Sequence, residues 1–290
     1  MTHCQEVERS IIKKYRKPIW NNFIGGLKDY QMIQAGDKIA VCISGGKDSF
    51  LLAKCLQELH RHGSDVPFEL EFIVMDPGYR TDNRQRIEAL LKELEIPAHI
   101  YDSPIFSVVE KQDESPCYLC ARMRRGYLYK YAKELGCNKI ALGHHFDDVI
   151  ETILMSMLYG AQMRTMMPKL HSLNFPGMEL IRPLYLVREK DIEAWTRYNN
   201  LEFLRCACSV TDRNEEEYGS KRAEVKALVA NLRKINSQID INIFRSAENV
   251  NLETIIGYHK GDKITTLLDE YEKRTVERLS SFFMHITPRV

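Results

Sequence analysis

Lys38-Ile39-Ala40-Val41-Cys42-Ile43-Ser44-Gly45-Gly46-Lys47-Asp48-Ser49-Phe50-Leu51-Leu52-Ala53-Lys54-Cys55-Leu56 runs from an apolar stretch through two glycines into a helical pattern. The segment 38–43 is short and apolar after its lysine, which marks a strand buried on both faces of a parallel sheet. Residues 49–56 carry helical periodicity, so the turn between them joins the carboxyl end of a strand to the positive end of a helix. Two glycines let the backbone approach an anion closely and expose successive N–H groups. Lys47 adds a charge, Ser44 and Ser49 add hydroxyls, and Asp48 either holds Mg2+ or caps the helix. The segment is not a Walker A loop: Val41 stands where the first glycine belongs, and Asp48 where Ser or Thr would follow the lysine.

Outward from this loop, strand and helix patterns alternate. Leu70 to Met75, Ala98 to Tyr101 and Lys139 to Leu142 read as strands, and Ile181-Arg182-Pro183-Leu184 as a last short extended piece. Asp82 to Leu94, Arg122 to Leu135, Asp147 to Leu158 and Glu189 to Asn199 read as helices, with Gly136 and Gly160 as stops. This spacing predicts an α/β fold: a parallel sheet flanked by helices on both faces. Residues 1–34 form a basic helical lead-in with Lys13, Lys14, Arg16 and Lys17, and residues 35–210 the core domain. Residues 211–290 form a charged helical or irregular extension, with a helix from Glu215 to Asn231.

A chain of 290 residues with 44% apolar and 28% charged side chains has enough core to fold as a globular protein. Its net charge of +1 means that a nucleic-acid partner must be held by a local basic face. No apolar run approaches the roughly 20 residues that span a bilayer, and the polar start is not a signal peptide, which places the chain in the cytoplasm with no membrane partner. Of eight cysteines, Cys4, Cys42, Cys55 and Cys137 stand alone and read as buried structural thiols. The others form two pairs, Cys117-Tyr118-Leu119-Cys120 and Cys206-Ala207-Cys208, which suit a shared metal or cluster. Four thiolates closing a zinc site and three thiolates holding an iron–sulfur cluster fit these residues equally.

Gly143-His144-His145-Phe146-Asp147-Asp148 ends a strand and opens a helix on the same sheet edge as the glycine loop. Its aspartates either cap that helix or serve a nucleotide site as Mg2+ ligands or acid/base groups. Arg122, Arg124, Arg125, Lys130 and Lys133 crowd the helix after the first cysteine pair. In isolation they are a solvated face; beside a nucleotide site they form an RNA backbone cradle, extended by Arg164, Lys169, Arg182 and Arg188. Tyr118 and Phe146 suit either base stacking or a core.

Ser44-Gly45-Gly46-Lys47-Asp48-Ser49 resembles the signature of the PP-loop ATP pyrophosphatases. The series that continues through Cys117 to Gly126, Gly143 to Asp148, Arg182-Pro183-Leu184 and Arg188 to Ile192 resembles the tRNA 2-thiocytidine synthetase family. The likeness covers residues 30–250 and includes Met75-Asp76-Pro77-Gly78-Tyr79. It implies an adenine nucleotide alpha hydrolase-like PP-loop fold with helical N- and C-terminal extensions. It also implies an enzyme that binds ATP, Mg2+, a 4Fe-4S cluster and tRNA. Ser44, Gly45, Gly46, Lys47, Asp48, Ser49, Asp76 and Gly143 would then face the nucleotide. Asp148 and Asp48 would be catalytic, and Arg124 would occupy the place of a catalytic lysine of the thiouridine relatives. Arginine exchanges protons poorly, so it would stabilise charge there. Cys117, Cys120 and Cys208 would hold the cluster, with Cys206 the alternative third ligand and zinc the alternative metal. The family carries a downstream C-x-x-C where this chain has C-x-C.

The resemblance further implies adenylation of the C2 oxygen of an anticodon-loop cytidine, with release of pyrophosphate. Sulfur supplied by a cysteine desulfurase would then replace AMP, giving 2-thiocytidine. Thiouridine synthesis by the same chemistry is the near alternative, although thiouridine relatives carry zinc-finger cysteines at both ends and no cysteine follows Cys208 here. A zinc-stabilised nucleotide- or tRNA-binding module is the alternative from another class. The sequence admits a homodimer without specifying one.

Overall fold

Ile39 to Ile43 of β1 (Lys38–Ile43) are buried without interruption, as a strand covered on both faces requires. The computed structural model describes residues 1–64, 66–109, 116–204, 221–269 and 271. Backbone contacts divide the chain into two compact units, Met1–Phe244 and Arg245–Val290. In the first, β1 is joined by β2 (Glu69–Asp76), β3 (Ala98–Asp102), β4 (Lys139–Ala141), β5 (Lys169–His171) and β6 (Glu179–Ile181). The sheet order is β3-β2-β1-β4-β6-β5. All neighbours are parallel except β5, which runs antiparallel to β6.

The N-terminal residues form α1 (His3–Ile12), a π-helical turn (Arg16–Trp20) and α2 (Asn21–Asp29). α3 (Lys47–His62) carries the chain from β1 to β2, and α4 (Thr81–Glu93) from β2 to β3. A short α5 (Ile105–Val109) and the long α6 (Pro116–Glu134) lead to β4, followed by α7 (Phe146–Gly160), α8 (Glu189–Tyr198), α9 (Lys221–Ile235) and α10 (Ile239–Ser246). The chain thus leaves β1 toward β2 on one side and returns to β4 on the other. That reversal opens a crevice beyond the carboxyl ends of β1 and β4, where open α/β sheets place their ligands.

α3 is held behind this crevice by aromatic packing. Phe50 stacks on Phe203 at 5.2 Å between ring centres, and Phe203 on the fully buried Trp195 of α8 at 6.3 Å. Such pairs add about 0.5–1.5 kcal/mol each beyond the area they bury. α6 covers the sheet with Tyr129, Tyr131 and Ala132. The isolated thiols are structural: Cys4, Cys42, Cys55 and Cys137 are buried, and burial pushes Cys42 up to about 12 and Cys137 to about 11.

Several features differ from the sequence reading, among them the helix expected from Arg122, which begins at Pro116 and takes in positions 117 and 120. The extended piece expected at 181–184 is the strand Glu179–Ile181, and the chain turns from Arg182 onward. Pro183 offers no N–H to a ladder, so pairing stops there. β5 went unread because its three residues lack an apolar run. The second unit contains a hairpin, β7 (Gly257–Lys260) with β8 (Lys263–Thr266), where only helical or irregular structure was expected. Its two-residue turn needs positive φ, met by Gly261 at +61°. In the helix expected at 215–231, residues 215–220 lie outside the described residues, and α9 continues to Ile235.

At the sheet edge opposite the crevice, Lys139 ties three segments together. Its Nζ lies 2.9 Å from Asp37, 2.9 Å from Glu179, and donates to the Met32 carbonyl at 2.9 Å. All three charged side chains are buried. Removing one partner of such a group leaves uncompensated buried charge, which costs about 3–5 kcal/mol. Lys139→Met is therefore expected to lower unfolding free energy by about that amount in urea titration.

Candidate functional site

The loop after β1 folds on itself before any ligand enters. Ser49 Oγ accepts hydrogen bonds from Ser44 N at 3.1 Å and Ser44 Oγ at 3.3 Å, and donates to the Gly46 carbonyl at 2.8 Å. Gly45 sits at φ +90°, a conformation side chains disfavour, and a Cβ there would meet Leu204 and Ile87 at 3.0 and 3.1 Å. Gly46 is the N-cap of α3 but offers no side chain, so the first helical N–H groups remain open to an anion. Asp48 is not that cap; it lies in the first turn.

The turn after β4 presses against this loop. A Cβ on Gly143 would lie 3.0 Å from Asp48 C, 3.0 Å from Ser49 N and 3.1 Å from the Asp48 carbonyl oxygen. A side chain there would push the two backbones apart by a few tenths of an ångström. Beyond it His145 caps α7: its ring accepts from Asp148 N at 3.4 Å, and its own N–H donates to Asp148 Oδ2 at 3.0 Å. His145 Nε2 lies 3.9 Å from Asp48, which joins the two aspartates across the turn.

Burial, with the Asp148 charge adding to it, raises the Asp48 carboxyl above its usual range, against the pull of His145 and Lys47. Asp48 Oδ1 is buried and accepts no hydrogen bond, although Lys47 Nζ is 3.3 Å away. Among the described residues no three His, Cys, Asp or Glu side chains form a metal cage. Mg2+ is commonly held by one or two carboxylates plus substrate phosphates, and this pair, one oxygen unpartnered, fits that demand.

These elements enclose a cavity of about 410 Å3. Ser44, Asp48, Tyr79, Gly143, His144 and Asp148 line its polar side, and Met75, Leu128 and Leu142 its apolar side. α6 contributes Ala121, Arg124 and Arg125. Arg124 Nε is buried without a hydrogen-bond acceptor, so an entering anion would satisfy it. A larger groove of about 850 Å3 at the far end of α3 is lined by apolar side chains such as Trp20, Ile24 and Leu59. It brings together none of the expected site residues.

The cysteine pairs are only partly described. Cys206 and Cys208 lie outside the described residues, and of Cys117 only the backbone position, early in α6, is described. Cys120 is half-buried. Positions 117 and 120 precede Ala121 and Arg124 by one helical turn, which sets the pair at the cavity end of α6.

Several expected residues serve structure. Asp76 shapes the turn after β2: its Oδ1 accepts from Gly78 N at 2.8 Å and Tyr79 N at 2.6 Å, its Oδ2 from Arg84 at 2.6 Å. Tyr79 then reaches the loop, donating to the Ser44 carbonyl at 3.2 Å. Asp147 faces away from Asp148, accepting from Glu189 N at 2.7 Å and from Arg233. Arg182 and Arg188, expected in the RNA cradle, are held inside: Arg182 donates to the Met167 carbonyl and to His144 Nδ1, and Arg188 pairs with Asp240 over the Phe146 ring. Phe146 is a core residue stacked on Phe244.

The sequence reading assigned no role to Glu189, Arg222 or Lys226. Glu189 links Lys47 at 3.3 Å to Lys226 at 2.6 Å, and Arg222 reaches Asp148 at 3.2 Å and Glu151 at 3.5 Å. The available signal was the spacing of Arg222 and Lys226, one helical turn apart.

Two outcomes are expected. Gly143→Ala forces backbone against backbone and should weaken binding of an ATP analogue by about tenfold or more, measured by titration calorimetry. His144 is held neutral by burial and by Arg182, its pKa lowered from 6.5 to about 4. The unfolded chain therefore takes up a proton first, so stability from this group is intact above pH 6.5 and is lost as pH falls toward 4. Urea titrations across that window should show a shallower decline for His144→Asn than for the parent protein.

Residues 12–215 match the PP-loop domain family. A tRNA-cytidine(32) 2-sulfurtransferase of Janthinobacterium sp. (strain Marseille) is 36% identical over 239 residues, covering 81% of this chain and 71% of that protein. One of Coxiella burnetii (strain RSA 493 / Nine Mile phase I) is 34% identical over 249 residues, covering 85% of this chain and 91% of that protein. In three dimensions the chain shares its fold with the U34-tRNA thiolase NcsA from Methanococcus maripaludis, solved with its 4Fe-4S cluster. The TM-score is 0.63 at 24% identity, over 83% of this chain and 80% of that one. With a strand–glycine loop–helix junction, a paired second strand end and this spread of similarity, the chain belongs to the PP-loop proteins and, among them, to the tRNA-cytidine(32) 2-sulfurtransferase family.

Proposed function

We propose that this protein uses ATP to replace the C2 oxygen of cytidine 32 in tRNA with sulfur, the activity named for its relatives. The observation that carries the reading is one cavity walled by Ser44, Asp48 and Ser49 of the loop after β1, Asp148 after β4, and Arg124 on the helix that opens with Cys117 and Cys120. The open N–H groups of α3 and Lys47 hold the phosphate chain. Asp48 and Asp148 would hold Mg2+, which would neutralise phosphate charge there. The apolar side of the cavity receives a base, consistent with small-molecule sites that are apolar with a few placed polar groups.

In the first half, the cytidine C2 oxygen forms a bond to the α-phosphorus while the bridging α–β bond breaks, and pyrophosphate leaves. Arg124, with an unpartnered buried donor, stabilises the charge gathered on phosphate oxygens. In the second half, a sulfide sulfur bonds to C2 and the C2–O bond breaks, so that AMP carries the oxygen away. Cys117, Cys120 and Cys208, or Cys206 in place of Cys208, would hold a 4Fe-4S cluster that supplies this sulfur without releasing it to water. A cysteine desulfurase supplies the sulfur in turn, in the cytoplasm. Among the described residues no helix is long and apolar enough to cross a membrane. Exposed Arg122, Arg125, Lys130 and Arg164 supply the RNA backbone face, a role from which Arg182 is withdrawn by burial and Arg188 by its ion pair with Asp240.

The test is nucleoside mass spectrometry on unmodified tRNA incubated anaerobically with reconstituted protein, ATP–Mg2+ and sulfide. A 2-thiocytidine peak is expected. Cys117→Ala should abolish it while analogue binding survives, and Asp148→Asn should reduce it about 100-fold or more. A thiouridine peak would overturn the substrate, and a colourless zinc protein that forms no pyrophosphate would overturn the enzyme.

A further inference from the structure

α9 brings two cations to the acidic side of the nucleotide loop. Val225 and Val229 are buried, one turn apart, and anchor the helix in the unit that carries the loop. Arg222 and Lys226 share the next stripe, also one turn apart. Arg222 takes Asp148 and Glu151, and Lys226 takes Glu189. The loop lysine, Lys47, has two carboxylates of its own: Asp48 at 3.3 Å and Glu189 at 3.3 Å.

The two contacts of Glu189 are unequal. Its Oε2 receives Lys226 at 2.6 Å, a short charge-assisted hydrogen bond, whereas its Oε1 lies 3.3 Å from Lys47. A phosphate entering the loop must compete for Lys47 with whatever holds it. Glu189 is only 17% exposed, so its charge is weakly screened and needs a cation. We infer that Lys226 is a positioning residue for the nucleotide, engaging Glu189 so that Lys47 is free to meet phosphate. The inference rests on the nucleotide-site reading above. Without Lys226, Glu189 has Lys47 as its remaining ion-pair partner among the described residues, draws it away from the loop, and adds an unbalanced negative charge beside the incoming phosphates.

This role differs from direct phosphate binding by Lys226 in one measurable respect. If Lys226 acts through Glu189, removing both charges repairs the defect; if it touches phosphate, the double change does not. Binding of the α,β-methylene analogue of ATP with Mg2+ is measured by calorimetry for the full-length parent, Lys226→Met, Glu189→Gln, the double variant and Lys226→Arg. Lys226 is 54% exposed, so the effect falls in the range of a partly screened pair. Lys226→Met should weaken binding about fivefold at low salt, with the gap narrowing as salt is raised. The double variant should return to within about twofold of the parent, as should Lys226→Arg. In pyrophosphate formation, Lys226→Met should raise KM for ATP and leave kcat nearly unchanged. Unchanged binding by Lys226→Met overturns the inference alone, as does a double variant that stays weak. A parent protein that binds no nucleotide overturns the ATP-site reading and this inference with it.

Discussion

Between position 143 and the backbone of Asp48 and Ser49 there is no space for a methyl group, and the site is organised around that close approach. It arises where the sheet order reverses, so that β1 and β4 lie side by side and end together. A glycine at the second strand end brings the α7 N-terminus alongside the α3 N-terminus. Two helix starts then share one crevice, that of α3 with open N–H groups and that of α7 capped by His145, and so do Asp48 and Asp148 of their first turns. Asp48 and Asp148 are close enough to perturb each other only because these turns touch.

Adjacent residues at such a turn face different neighbours. Asp147 and Asp148 are about 100° apart around the α7 axis, as consecutive helical positions must be. Asp147 therefore binds the start of α8 and Arg233, holding the scaffold, while Asp148 lines the cavity. The same division separates the two ends of the sheet. Lys139 satisfies buried carboxylates at the amino edge, where nothing needs to move. At the carboxyl edge Asp48 and Arg124 keep buried atoms without a hydrogen bond, a cost that a bound ligand would relieve.

The alternation of strand and helix was legible because each element carries its own period, and β1, α3 and α7 lie where that period places them. The glycine loop was legible because its residue types sit next to one another in the chain. β5 was not legible: three residues with partly exposed side chains have no periodicity, and the strand exists because β6 supplies its partner. Arg182 and Arg188 looked like surface cations because charge is written in a sequence and burial is not. Their internal partners, His144, Met167 and Asp240, come from distant segments.

By itself the sequence determined the α/β class, the phosphate loop with its strand and helix, and the buried isolated thiols. Each of these depends on local backbone preference or on short-range periodicity, which a chain carries wherever it is read. The resemblance had already singled out Asp148; the tertiary structure alone decided what Asp147 binds instead and which cations are held by partners within the fold. It also decided that Gly143 packs directly on the backbone of Asp48 and Ser49, and that α9 supplies partners to Asp148 and Glu189. Those are contacts between residues far apart in the chain, set by the strand order and by which buried charges must find a partner.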